Sequence, residues 1–497
     1  MASGTFQTLP EELLSEIEQA LPFQDRLQLS AVDSRLRRCL TPGLYTTIRF
    51  SNRLDEQRAV ADIIAKYGQY ARGLALTLDL AVPEPEEGID ETEEPMTTTG
   101  DADWSARGLP NFTRDLLTGK TLPGISSFSI RFLADPGGEV GFRGAELEYD
   151  DWVGMWGPMA PEDPAEELAE EEGLPGWRQC LAATWRALAD NPGTIRHLSV
   201  PNLVLAPSSA WQTPAWAAFM GRLESLSLGM WDVKGILDDG EYECQDVKDM
   251  LDRHWYCHAT ALRRLEIVAG PGNLYATAVW GDETVSFEND APKLPSLREL
   301  RIVNCLLSDA MARLIATRAV MGLGRIELVG CAAGAPYVDT QDPCWESFFL
   351  SIPSFINLSG GPRWNAAVES RLASGRGLLE IEDFVLLHGR TTAELWKMGE
   401  AEAYMLEKRG ITGAGLGFHE LKNLRLVRDG RERIRQLRKA GRDVNENELI
   451  FPYAFRDPRS GSIEFGVSPT VIRASGGKDA AAFKALMDLV KTRGERG

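Results

Sequence analysis

Leu297, Leu300, Ile302 and Cys305 are matched position for position, 26 residues later, by Leu323, Ile326, Leu328 and Cys331. Such an L-x-x-L-x-L frame restricts the backbone, because a strand sends successive side chains to opposite faces. The last two apolar residues of each copy therefore share one face, and the residue between them takes the other. The same frame stands at Leu223, Leu226 and Leu228, at Leu262, Leu265 and Ile267, and at Leu421, Leu424 and Leu426. A looser copy lies at Ile195, Leu198 and Val200, with weaker ones over 74–80 and 125–132. Helical stretches over 309–318 and 180–189 are placed to pack on one side of these strands. A period in the twenties is that of a stacked repeat array. Ordinary parallel α/β strands share the alternation, but the cysteine correspondence favours the repeat. The residues between the last two apolar positions, Ser199, Ser227, Glu266, Arg301, Glu327 and Arg425, are then the candidate target-binding line. Their charges alternate in sign along the central strands, which suits a mixed-charge peptide.

Length and charge narrow the partners. At 497 residues the chain exceeds the size at which a single core stops growing, a limit that a repeat array escapes. Its 53 basic against 73 acidic residues give a formal charge of -20, which disfavours nucleic acid and anionic membrane as partners. The start of the chain carries Glu11, Glu12, Glu16 and Glu18 where a secretory signal would be apolar, and no apolar run has the length of a membrane span. Seven cysteines form no C-x-x-C pair and no regular framework. A protein of the cytoplasm or nucleus, not secreted, is the expectation.

The intervals between frames are irregular and two are acidic. Between Arg72 and Arg107 stand ten acids, no basic residue and Pro83, Pro85 and Pro95, a composition unable to bury enough to fold. A second run, Glu146 to Glu172, has eleven acids with Trp152, Met155 and Trp156 among them. It reads as a solvated loop with its aromatics tucked in, the other reading being a surface for a basic peptide. Between Glu420 and Arg442 nine basic residues face three acids, and Arg431, Arg435 and Arg438 recur at helical spacing. A solvated helix face is preferred there to a nuclear-localisation patch. The segment 479–491 reads as a terminal helix burying Phe483, Leu486, Leu489 and Val490. His254, Cys257 and His258 cluster but lack the paired, spaced ligands of a zinc site, and Gly413, Gly415 and Gly417 fit neither phosphate-loop spacing. No catalytic residue, metal or cofactor is expected.

Ahead of the frames lies a compact helical pattern. Thr8 with Glu11 has the form of a capping box, Pro10 suits a first turn, and Leu13, Leu14, Ile17 and Leu21 recur at helical intervals until Pro22. Asp25 is expected to cap a second helix carrying Leu27 and Leu29, and Ser30 with Asp33 to open a third carrying Val32, Leu36 and Leu40. A piece below about 40 residues buries little by itself, so a partner is expected.

Leu9-Pro10, Leu13-Leu14, Ile17, Leu21-Pro22, Asp25, Leu27, Leu29-Ser30, Val32 and the basic Arg35, Arg37 and Arg38, followed by Pro42, Leu44-Tyr45 and Ile48, closely resemble the F-box motif of fungal-type F-box proteins. The resemblance covers about a tenth of the chain. It implies that Leu9, Pro10, Leu13, Leu14, Ile17, Leu21, Leu27, Leu29 and Val32 bind the adaptor that links F-box proteins to cullin and RING subunits. The expected architecture is α/β: a three-helix F-box over 5–50, an irregular leucine-rich-repeat-like solenoid over 51–430 with acidic insertions at 79–103 and 146–172, and a basic helix and C-terminal segment over 431–497. The implied function is that of a non-catalytic substrate receptor of a cullin–RING ubiquitin ligase, holding a protein substrate. The alternative is an adaptor-bound scaffold acting outside ubiquitin transfer.

Overall fold

The computed structural model describes most of residues 11–79, 109–133, 168–230, 251–268 and 294–334, and beyond them 345–356, 383–386, 390–391, 449–450, 453–456, 463–466 and 478–491. The frame at Leu421, the glycines at 413–417, the basic helix over 431–438, and the acidic segment from Leu80 through Ala106 lie outside the described residues. By its contacts the chain divides into two compact units, one of 1–152, 164–200 and 207–223, the other of the remaining residues.

The first unit opens with three helices, α1 (Glu11–Ala20), α2 (Phe23–Ser30) and α3 (Ser34–Leu44). Leu21 N still donates to Ile17 O, and Pro22 then ends the turn. The expected cap at Asp25 is corrected: α2 starts at Phe23, Pro22 takes the capping place without a side-chain bond, and Asp25 lies in the first turn, favourable to the helix dipole. Asp33 caps α3, its carboxylate accepting from Leu36 N at 2.8 Å. Leu14, Leu36, Leu40 and Leu44 form the module's core, with Leu29, Cys39 and Tyr45 partly buried against it. Tyr45 stacks on Tyr67 of α4 (Leu54–Tyr67) with ring centroids 4.0 Å apart, so the module is anchored where the sheet begins.

That sheet runs β1 (Thr47–Ser51), β2 (Gly73–Asp79), β3 (Ser127–Leu133) and β4 (His197–Leu203), the last belonging to this unit through Val200. Neighbours follow chain order and pair in parallel. Ile48, Leu74, Phe128 and Leu198 form one buried row across them, and Phe50, Leu76 and Ile130 another. Helices α5 (Asn111–Leu117), α6 (Trp177–Ala189) and α7 (Pro214–Gly221) lie in the connections and after β4. Trp185, fully buried, meets Phe132, Trp211 and Trp216 at ring distances of 5.6, 5.7 and 5.7 Å. Thr213, preceding Pro214 at the first helical position, accepts from Trp216 N and fixes the start of α7.

The second unit repeats the plan with β5 (Ser225–Met230), β6 (Arg264–Val268), β7 (Glu299–Val303) and β8 (Arg325–Val329), in chain order and parallel, followed by β10 (Asp383–Leu386) beside β8. The frames predicted from the sequence fall into register: Leu226, Leu265, Leu300 and Ile326 make one row, and Leu228, Ile267, Ile302 and Leu328 the next, all buried. Cys305 and Cys331 are buried at corresponding places, each Sγ donating to the carbonyl two residues earlier, Val303 O and Val329 O. In this unit α8 (Asp309–Met321) packs on α9 (Trp345–Ile356), and α9 on α10 (Lys478–Lys491). Leu486 of α10 is buried and Phe483 meets Phe349 at 5.1 Å, while the side chains of Leu489 and Val490 are outside the described set. Two small sheets accompany these, β9 (Ala333–Gly334) with β13 (Tyr453–Arg456) and β14 (Ile463–Gly466), and β11 (Arg390–Thr391) with β12 (Leu449–Ile450).

One backbone device recurs at the entry to successive strands. Two consecutive N–H groups donate to a single carbonyl of the preceding entry: Arg72 and Gly73 to Thr46 O, Ser126 and Ser127 to Arg72 O, Arg196 and His197 to Ser126 O. In the second unit the donors are Arg263 and Arg264 to Glu224 O, Arg298 and Glu299 to Arg263 O, Gly324 and Arg325 to Arg298 O, over 2.8–3.0 Å. These bonds satisfy backbone groups at the bend where each connection rejoins the sheet.

Candidate functional site

Two surfaces carry the residues singled out in the sequence. The first is the three-helix module. Of its three apolar faces only part fits inward, because Leu13 and Leu14 are neighbours on a helix and one of them must point away. Leu14 is buried, whereas Leu13 is 43% exposed, and Phe23, Leu27 and Val32 are 53%, 41% and 70% exposed. Ile17 and Leu21 are half-buried, and Leu29 is partly buried against the module's core. Leu9 and Pro10 lie outside the described residues. So among the nine predicted docking residues Leu14 and Leu29 serve the core, and Leu13, Leu27 and Val32 are available to a partner. Phe23 joins them without having been foreseen. Its signal was its place, an aromatic directly after a helix-ending proline and four residues before Leu27, on the same stripe of α2.

The second surface is the polar face of the strands. Ser227, Glu266, Arg301 and Glu327 stand directly opposite one another on β5, β6, β7 and β8. Ser227 Oγ donates to Glu266 Oε2 at 2.9 Å, the Arg301 guanidinium pairs closely with Glu266, and Arg301 Nε reaches Glu327 Oε2 at 3.0 Å. Arg325 closes the line on Glu327, and a neighbouring row adds Arg264 Nε to Glu299 Oε2 at 3.8 Å. The alternating signs seen in the sequence are thus matched within the sheet, since opposite charges on adjacent strands lie within reach of each other. A peptide laid along this row meets charges already partnered. Ser199 lies on β4, half-exposed, in the first unit, and Arg425 is outside the described residues.

Two further predictions can be placed. The acidic run ending at Glu172 was expected to be a solvated loop, yet Glu172 itself is 2% exposed. It accepts from Ser209 N at 2.9 Å and from the Ser209 hydroxyl, and pairs with Arg186 Nη2 at 2.5 Å. This carboxylate ties the end of the run to α6 and to the turn at Ser209–Gln212; Trp152 and Trp156 are outside the described residues. His254 and Cys257 sit on and after the π-turn Asp252–Tyr256, where Cys257 Sγ donates to Arg253 O. Burial, then the neighbouring His258 and Arg253, hold His254 below its usual pKa, and burial does the same to His258. Among the described residues no three His, Cys, Asp or Glu side chains converge as metal ligands would, and no helix is long and apolar enough to cross a membrane.

No protein-family model matches the chain, and no match is found among curated proteins.

Proposed function

We propose that this chain is the substrate-recognition subunit of a cullin–RING ubiquitin ligase. Its N-terminal module acts as an F-box that binds the adaptor, and its parallel strands and helices act as an irregular leucine-rich-repeat-like arc that holds a protein target. One observation carries the reading: the three helices complete a four-leucine core and still expose Leu13, Phe23, Leu27 and Val32. Large apolar side chains grouped on so small a module favour a protein partner, because their burial contributes about 1.5–3 kcal/mol each. Strands that pair in chain order, six of them entered through the same double hydrogen bond, support the repeat architecture. The receptor contributes proximity: it raises the local concentration of target lysines at a ubiquitin-charged enzyme, whose chemistry lies in other subunits.

Capture of recombinant adaptor and cullin by the full chain tests this. Leu13→Asp and Leu27→Asp each place an unpaired charge in the contact and are expected to weaken adaptor capture by tenfold or more, about 1.4 kcal/mol. Their helical circular dichroism should match wild type, since both side chains are exposed, while Leu14→Asp should lose it. Wild-type capture by both folded variants would refute the docking surface. Adaptor capture that never recruits cullin would replace the receptor with a scaffold acting outside ubiquitin transfer.

A further inference from the structure

The polar face of the first unit's sheet differs in charge from that of the second. Strands β5 to β8 hold three arginines, Arg264, Arg301 and Arg325, and each has a glutamate partner. Strands β1 to β4 hold Arg49, Arg131 and His197 against one acid, Asp79, the last residue of β2. Arg49 and Arg131 are exposed, and among the described residues neither has a hydrogen-bond or ion-pair partner. Two unpaired guanidinium groups on one sheet, in a chain whose formal charge is -20, mark a local departure from the body's acidity.

Their register gives the departure a shape. Arg49 of β1 stands opposite Ala75 of β2, which stands opposite Ser129 of β3, and Ser129 opposite Ser199 of β4. Arg131 lies two residues further along β3, opposite Thr77. The arginines are thus two strands apart across the sheet, about 10 Å, and two residues apart along it, about 7 Å, a diagonal of about 12 Å. An extended peptide rises about 3.3 Å per residue and alternates its faces, so side chains four residues apart share one face and span about that diagonal. Between the arginines lie only the short side chains of Ala75, Thr77 and Ser129, which let a main chain approach closely and offer two hydroxyl donors. A guanidinium is the side chain that holds carboxylate or phosphate through two parallel hydrogen bonds.

We propose that this face binds an extended acidic segment of a partner protein, with Arg49 and Arg131 each gripping one oxyanion, carboxylate or phosphate, about four residues apart. The assignment rests on the receptor reading only in calling that partner a target, and it names the target's chemistry. It places recognition on the first unit's sheet, apart from the self-paired row through Glu266 and Arg301.

Fluorescence anisotropy on the full chain tests it with labelled glycine–serine peptides. One carries two glutamates about four residues apart, a second two phosphoserines at those positions, a third two lysines, a fourth two adjacent glutamates. The spaced glutamate or phosphoserine peptide should bind more tightly than the other two, and which of the two prevails identifies the oxyanion. Arg49→Gln and Arg131→Gln should each weaken that binding about tenfold, and Arg264→Gln on the second unit's sheet should leave it unchanged. Both arginines are exposed and unpaired, so the variants should fold, which their melting temperatures check. Equal binding of all four peptides, or full binding by the Arg49→Gln, Arg131→Gln double variant, would overturn the proposal. Adaptor capture is measured in the same samples: its loss in wild type, with peptide binding intact, removes the receptor reading and keeps the face.

Discussion

Arg318 shows how much a single residue's surroundings matter. It lies on α8, 2% exposed, and Nη1 donates to Leu294 O at 3.1 Å. No carboxylate among the described residues pairs with it, and burial pushes its pKa down to about 10. Keeping the charged form there costs about 3 kcal/mol at neutral pH, against about 1 kcal/mol returned by the hydrogen bond. Arg318→Met, similar in length and uncharged, is therefore expected to raise stability by about 1–2 kcal/mol, read as a higher urea midpoint. Because the folded value lies below the unfolded one, the penalty is present in full below pH about 10 and fades as pH rises through it. The advantage of the methionine variant should shrink over that interval, and an advantage independent of pH would assign it to packing instead. The arginine's neighbourhood was invisible in the sequence, where Arg318 reads as the end of an amphipathic stretch. The nearby Gly322 was equally silent: its φ of 105° ends α8 in a conformation that other residues rarely adopt.

At the scale of elements, the ladder on β5 to β8 is the feature with most consequence. Arg301 sits between Glu266 and Glu327, whose side chains are 17% exposed. Removing the central cation leaves two part-buried carboxylates without their shared partner, so Arg301→Ala should lower stability by about 1–3 kcal/mol. Arg264→Ala breaks a pair that is about half exposed on both sides and should cost less than about 1 kcal/mol. Thermal melts of the two variants compare them, and equal losses would mean that the ladder contributes no more than a surface pair. Restoring part of the loss with Glu266→Gln in the Arg301→Ala background would locate it in the orphaned charge. The strands of this ladder were legible beforehand, since their frames repeat. Strand β1 was not, because TIRFS has only two apolar residues, and neither were α4 and α7. PAWAAFMG is apolar all round and shows no helical stripe.

For the whole molecule, charge sets what can approach. A formal charge of -20 repels polyanions over most of the surface, and the two unpaired arginines on the first unit's sheet are too few to reverse that against a duplex. The full chain should leave the mobility of a short DNA duplex unchanged even at low ionic strength. A retarded band would show a cationic tract large enough to demand another reading of the protein. The acidic peptide proposed above is a different ligand, because it presents two oxyanions to two guanidinium groups and little further charge to the body. Its binding should weaken as salt is raised.

Alternation and helical spacing are local properties of the backbone, so the sequence by itself determined which residues of β4 to β8 face the core, where α6, α8 and α10 run, and that Asp33 opens α3. It also paired the entries that are 26 residues apart, Arg298 and Gly324, through the matched leucines and cysteines. Only the tertiary structure decided what each outward residue meets. Glu266 and Arg301 are 35 residues apart in the chain, Glu172 and Ser209 37, and such partners depend on the register fixed where each long connection rejoins its neighbour. No periodicity encodes that register across insertions of unequal length. For the same reason the sequence could name Leu13 and Leu14 together as docking residues, but only packing against Leu36, Leu40 and Leu44 drew one of them inward and left the other for a partner.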